Sequence, residues 1–340
     1  CMDDLKTLFR QLRGKFLGAD GQAETQMDAE LEEDFEPLLA TVSTPASDRE
    51  EAAEEEVAAS EEEVAEATDK LVEEIEATSL CPGMFCAGWM TDVGRVRGHN
   101  EDAIFVFIGE QEADNAMPPF GAFILADGMG GHQGGELASA LAVRESANHL
   151  MSEVYLPLLS GDEREGDQPS LTEILREAVV KANRVVTQSL PGSGSTLTCG
   201  VVVGDRLFIG HVGDSRAYLQ QEDEDPQLLT HDHSLVNRLL EMGQLTEEEA
   251  AVHPQRNVLY RAIGQGGTLD VDVHSYPLQG KSRLLLCSDG LWGLLEEPEL
   301  WALIDESPTP QAACQALVES ANNAGGIDNI SVILVEIFGE

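Results

Sequence analysis

FILADGMGGH, residues 123–132, runs three apolar residues of strand character (Phe123, Ile124, Leu125) into Asp127 and then into Gly128, Gly130 and Gly131. A buried strand is expected to end here by delivering one carboxylate into a tight turn. Glycines allow positive φ and close approach of the backbone to a ligand. The turn can therefore offer a carbonyl oxygen beside the side chain, a pairing that suits a hard cation such as Mg²⁺ or Mn²⁺. Taken alone, the same letters also describe an ordinary strand-to-loop corner capped by an Asx turn.

The event recurs along the chain. RLLLCSDGLWG (283–293) is an apolar run ending in Asp289-Gly290, and LFIGHVGDSR (207–216) ends in Gly213-Asp214. GIDNISVILV (326–335) sets Asp328 and Asn329 just before a β-branched run, and GRVRGHNEDAIFV (94–106) sets Arg97, Asn100, Glu101 and Asp102 just before a strand. No single local segment can surround a hard cation with enough oxygen ligands. Carboxylates at several strand ends, distant in sequence, can.

Working outward, strands are expected at 85–90, 104–108, 120–126, 197–203, 206–212, 271–278, 284–288 and 330–337, and helices at 135–158, 170–190, 298–304 and 310–324. Gly204-Asp205 reads as a hairpin turn, and GSGST (192–196) as a glycine-serine turn with no GK[ST] to make it a phosphate loop. Strand blocks outnumber crossover helices, which argues against a doubly wound parallel sheet. Helices come in pairs and strands in runs, an order satisfied by two packed sheets with a helical layer on each outer face. The segment 228–264 carries His231, His233 and His253 at spacings that fit no compact ligand set, so it reads as a flap bordering the site.

The charge is the compositional outlier. The 340 residues carry 20 Lys and Arg against 63 Asp and Glu, a net charge of −43 that argues against nucleic-acid binding. The six cysteines (Cys1, Cys81, Cys86, Cys199, Cys287, Cys314) are scattered and read as reduced. No run approaches a membrane span and nothing resembles a secretory signal, so a cytoplasmic location is expected. Residues 1–18 read as a short basic amphipathic helix whose face at 2–17 could dock on a membrane surface, a protein partner or its own chain. Residues 19–84 form an acidic linker that cannot build a core, with nascent helicity at most, and the globular domain is expected at 85–340.

The ordered motifs GRVRGHNED, FILADGMGGH, GST, HVGDSRAYL, LTHDHS with HPQRN, LLLCSDGLW and DNISV resemble those of the bacterial branch of the protein phosphatase 2C (PPM) family of metal-dependent serine/threonine phosphatases. The resemblance spans about residues 86–338. It implies an α+β fold, the four-layer α-β-β-α sandwich, with a binuclear Mn²⁺ or Mg²⁺ centre at the end of the central sandwich. By the same resemblance, Asp127 bridges the metals and the carbonyl of Gly128 binds one of them. Asp289 and Asp328 bind the other, and Glu101 and Asp102 hold metal directly or through water. Asp214, with Asp289, forms a third, weaker site, and Arg97 grips the substrate phosphate.

That chemistry is coherent on its own terms. A phosphomonoester dianion hydrolyses very slowly, so clustered positive charge must offset the anion and generate hydroxide near neutral pH. The bridging hydroxide would attack phosphorus in line while Arg97 chelates non-bridging oxygens. Met129 stands where many eukaryotic members have a histidine proposed as general acid, and it cannot donate a proton. His132, a flap histidine and metal-bound water stay open as proton sources, water being ranked first. Phosphorylated proteins, counteracting a Ser/Thr kinase, are the expected partners of a monomer. The alternative is a catalytically weak or inactive phosphatase fold serving as a binding module.

Overall fold

A computed structural model describes residues 83–111, 117–130, 134–161, 169–222, 224–251 and 253–339. The expected helix at 1–18, the acidic linker up to residue 82 and His132 lie outside the described residues. Those described fall within one unit, residues 69–340.

The elements in chain order are β1 (Phe85–Asp92), β2 (Asp102–Gly109), β3 (Phe120–Met129), α1 (Gly134–Leu150), α2 (Leu171–Ser189), β4 (Gly194–Ser195), β5 (Leu197–Val203), β6 (Arg206–Val212), β7 (Arg216–Gln221), β8 (Gln227–Leu228), α3 (Leu235–Glu241), α4 (Glu247–Ala251), β9 (Asp272–Pro277), β10 (Lys281–Cys287), α5 (Asp289–Trp292), α6 (Glu297–Glu306), α7 (Pro310–Asn323) and β11 (Ile330–Phe338). A π-helical turn, Met151–Tyr155, carries the line of α1 into Leu156–Ser160. Helix α2 starts where its chemistry dictates: Ser170 and Glu173 form a reciprocal capping box.

Among the described residues all strand pairings are antiparallel. One sheet has the order β1-β11-β10-β7-β8, the other β2-β3-β5-β6-β9, with β4 paired to β3. The period-2 alternation of strand side chains then sorts the core into three layers. Along β3, Phe123 and Leu125 join the core between the sheets, whereas Phe120, Ala122, Ile124 and Ala126 pack with α1 and α2. Along β10 and β11, Leu284, Leu286, Ile333 and Val335 face the other sheet, while Leu285, Cys287, Val332 and Leu334 pack with α6 and α7. Three apolar interfaces between four layers are the α-β-β-α sandwich expected from the strand and helix order.

Three differences stand out. Strand β3 continues through Asp127 to Met129, because residues 128–129 pair with β4, so GSGST holds a short strand rather than a turn alone. The pleated run RAYLQQ (216–221), overlooked in the sequence, forms β7. Cys86 is disulfide-bonded, which corrects its reading as reduced, whereas Cys199, Cys287 and Cys314 are free and buried.

Phe123 is fully buried between the sheets and meets Phe85 edge-on at 6.3 Å. Phe123→Ala is expected to lower the free energy of urea unfolding by about 3–5 kcal/mol, while Phe338→Ala, at a 40 % exposed position, should stay within about 1 kcal/mol of wild type.

Candidate metal and phosphate site

Antiparallel pairing decides where the acids go. β3 and β6 both run against β5, so their C-terminal ends share one edge, together with the N-terminal end of β2. In the other sheet, the C-terminal end of β10 lies beside the N-terminal ends of β7 and β11. Asp102 and Asp127 are direct cross-strand partners in the β2–β3 register. Asp214 lies in the turn between β6 and β7, Asp289 follows β10 at the start of α5, and Asp328 precedes β11.

Hydrogen bonds tie the two sheet ends together. The Ser288 hydroxyl donates to Asp102 Oδ2 at 2.9 Å and accepts from the Ser331 N–H at 2.9 Å. Asn329 Oδ1 accepts from the Glu101 N–H at 2.8 Å, and its Nδ2 donates to the carbonyls of Val93 and His99, each at 3.0 Å. The Asp127 N–H donates to Thr196 Oγ1, and the Thr196 N–H donates back to the Asp127 carbonyl, both at 2.8 Å. Ser288 and Thr196 were not singled out in the sequence, although each is a polar residue in a quoted motif, beside apolar strand residues.

Gly128 is needed for close approach rather than for a positive φ. A Cβ there would overlap the Gly135 carbonyl and come within 2.6 Å of the Glu101 carbonyl, while the Gly128 N–H donates to that same Glu101 oxygen at 3.0 Å. Glu101, Asp127 and α1 can therefore meet only across a residue without a side chain.

The electrostatics are those of crowded, partly buried acids. Burial first, then neighbouring carboxylates, pushes Asp102 up to about 7, Asp214 up to about 8 and Asp289 up to about 6, and holds Asp127 well above the ordinary carboxylate value. Glu101 Oε1, Asp102 Oδ1 and Asp289 Oδ1 are buried without a hydrogen-bond partner; His99 Nε2 stands 3.5 Å from Glu101 Oε1, too far for one. Among the described residues no three acidic, histidine or cysteine side chains close round a single point as a finished ligand shell. The donors nevertheless fit hard cations shared between ligands. All are oxygens, several have unused lone pairs, and divalent charge would relieve the repulsion that keeps them protonated.

Arg97 Nη2 donates to Asp328 Oδ2 at 2.6 Å, and the arginine side chain stays 47 % exposed. A cavity of about 370 Å³ opens beside the acids, with Asp214, Asp289 and Asp328 in its wall together with Val236 and Leu240 of the flap and Trp292. Every sequence-predicted site residue, Arg97, Glu101, Asp102, Asp127, Gly128, Asp214, Asp289 and Asp328, thus lies at this end of the sandwich. The flap contains α3 and α4, but Asp232 and His233 near its start are buried.

Residues 91–330 match the family model described as Protein phosphatase 2C. A serine/threonine phosphatase stp of Listeria innocua is 40% identical over 254 residues, 74% of this chain and 95% of that protein. Protein phosphatase PhpP of Streptococcus pneumoniae is 35% identical over 248 residues, 73% of this chain and 96% of its own length. The crystal structure of the Mycobacterium tuberculosis serine/threonine phosphatase PstP/Ppp superposes with a TM-score of 0.62 at 30% identity, covering 75% of this chain and 99% of that one. The PstP catalytic domain in complex with two manganese ions gives 0.60, at the same identity and coverage. No helix among the described residues is long and apolar enough to cross a membrane. With the fold, the shared edge of acids and these likenesses in agreement, the chain belongs to the protein phosphatase 2C family of serine/threonine phosphatases.

Proposed function

We propose that this chain hydrolyses phosphoserine and phosphothreonine in proteins with divalent cations held by the carboxylates at the shared sheet end. The observation that carries this reading is the gathering of Asp102, Asp127, Asp214 and Asp289 from distant segments into one crowded, partly buried cluster, with oxygens of Asp102 and Asp289 left without a hydrogen-bond partner. In this reading Asp127 would be shared by two cations, the Gly128 carbonyl would help hold one of them, and Asp289 and Asp328 would hold the other. Glu101 and Asp102 contribute directly or through water, and Asp214 with Asp289 makes a weaker third site. The cations in this reading are Mn²⁺ or Mg²⁺, and a relative's catalytic domain is described in complex with two manganese ions.

When bound, such cations offset the charge of the phosphate dianion and acidify water near neutral pH. Arg97 supplies a planar fork matched to the non-bridging phosphate oxygens, and its bond to Asp328 keeps phosphate grip and cation ligand in one unit. The cavity beside the acids offers room for chain flanking the phosphorylated residue. Met129 donates no proton, and His233 has partners at both ring nitrogens, which favours water as the proton source. Residues 85–340 make up the catalytic domain in this proposal, a monomer acting on the products of a Ser/Thr kinase, with 19–84 as an acidic tether and 1–18 as a docking segment.

The direct test is phosphate release from a phosphothreonine peptide. Release should require Mn²⁺ and fall by at least about a hundredfold in Asp127→Asn and in Asp289→Asn. No release from folded protein that binds Mn²⁺ would favour a binding module instead.

Arg97→Ala should raise KM severalfold with a smaller change in kcat; an unchanged KM would remove the phosphate-gripping role.

The acids also predict a pH dependence. Their folded-state pKa values lie above those of the unfolded chain, so between about pH 4 and pH 8 the folded state binds more protons. Their contribution to the stability of the metal-free protein is therefore lost as pH rises through that window. Melting of the metal-free protein should fall from pH 5 to pH 8, and the increase in Tm given by Mn²⁺ should be larger at pH 8. A Mn²⁺ increment independent of pH would contradict protonation of the cluster.

A further inference from the structure

We propose that His233 is a positioning residue that fixes Asp214, and with it the base of the flap, relative to the acid cluster; this rests on the metal-dependent reading above. Gly213, the residue before Asp214, is clamped at two points by His233. The Gly213 N–H donates to His233 Nδ1 at 3.0 Å, and the His233 N–H donates to the Gly213 carbonyl at 2.7 Å. Gly213 has φ +120°, and a Cβ there would press on Thr196 at 2.5–3.0 Å, so the turn is tight and its conformation specific.

The tautomer follows from the geometry. Because Nδ1 accepts, the ring proton sits on Nε2, which donates to Asp272 Oδ2 at 3.1 Å. Arg261 Nη1 donates to Asp272 Oδ1 at 2.8 Å and stands 3.0 Å from the same Nε2. Burial, and then that guanidinium charge, lowers the His233 pKa and keeps the imidazole neutral, as an acceptor at Nδ1 requires. A second buried histidine reinforces the turn. His211 Nδ1 accepts from the Thr198 hydroxyl at 2.9 Å, and its Nε2–H is shared between the carbonyls of Gly213 and His231, each at 3.1 Å.

The neighbouring residues tighten the same hold. Asp232 takes the Arg216 guanidinium at two points, 2.8 and 3.2 Å; Arg216 lies over the Trp292 ring at 3.7 Å; and Trp292 Nε1 donates to the Asp214 carbonyl at 3.1 Å. The returning stem of the flap closes on the same residue, the Tyr260 N–H donating to the His233 carbonyl at 3.0 Å. Asp214 is thus gripped on both sides by consecutive flap residues, Asp232 through Arg216 and His233 through Gly213. A movement of the flap stem must move this acid. The link makes Asp214 the member of the cluster whose cation affinity reports on the flap.

The test is a double-mutant cycle of His233→Leu and Asp214→Asn, with His233→Asn as the conservative variant whose Oδ1 can still accept from the Gly213 N–H. Mn²⁺ titrations are followed by melting temperature without substrate, and by kcat and KM for para-nitrophenyl phosphate. His233→Leu should raise the half-saturating Mn²⁺ of the weaker phase by about tenfold, as should Asp214→Asn, with no further loss in the double variant. His233→Asn should stay within about twofold of wild type. A lowered melting temperature with an unchanged Mn²⁺ titration in His233→Leu, or single effects that multiply in the double variant, would overturn the proposal alone. Absence of any Mn²⁺ response in the wild type would overturn the metal-dependent reading and this proposal with it. Should His233→Leu not fold, Asp272→Ala, at a partly exposed position whose carboxylate holds the other end of the imidazole, carries the same test.

Discussion

Mutual repulsion among crowded, partly buried carboxylates is the constraint that the rest of this structure answers to. Asp102, Asp127, Asp214 and Asp289 share a low-dielectric space in which none can ionise without cost to the others. Such a cluster persists only on a scaffold too rigid to relax away from it. The three apolar interfaces supply that rigidity, because each sheet is packed on both faces and its strand ends cannot slide independently. The destabilised end of the sandwich and its stable middle are therefore parts of one design, in which strain at the site is offset elsewhere.

The polar stitching at that end serves the same purpose. Ser288, Asn329 and Thr196 carry no charge, yet Ser288 and Asn329 fix Asp102 and the Glu101 backbone across the gap between the sheets, and Thr196 fixes the Asp127 backbone within its own sheet. Small neutral side chains suit this work. They satisfy buried N–H groups and carboxylate lone pairs without adding another charge to a region that already holds too many.

The buried histidines follow the same logic by a different route. His211 and His233 are kept neutral by burial, so each presents one acceptor and one donor at fixed angles. Two such rings, one on β6 and one at the flap stem, bind both the N–H and the carbonyl of Gly213. What reads in sequence as a histidine-bearing insertion is, at its base, part of the frame that carries Asp214.

Much of this was legible in the chain itself, for physical reasons. Strand ends such as FILAD and LLLCSD announce themselves because alternating or continuous apolar runs have only one favourable burial, and a carboxylate following such a run is delivered to the sheet edge. The order of strand runs and helix pairs fixed the layering, and the repeated delivery of acids marked the site. The tertiary structure alone decided what depends on contacts between distant segments. The pairing of residues 128–129 with Gly194–Ser195 lengthened β3, the approach of Gly135 and Glu101 explained Gly128, and Arg97 was joined to Asp328 across 231 positions of sequence. The placing of His233 against Gly213 belongs to the same class. Periodicity and propensity are local and can be summed along a chain, whereas hydrogen-bond partners and shared burial are set by packing, which no stretch of sequence contains by itself.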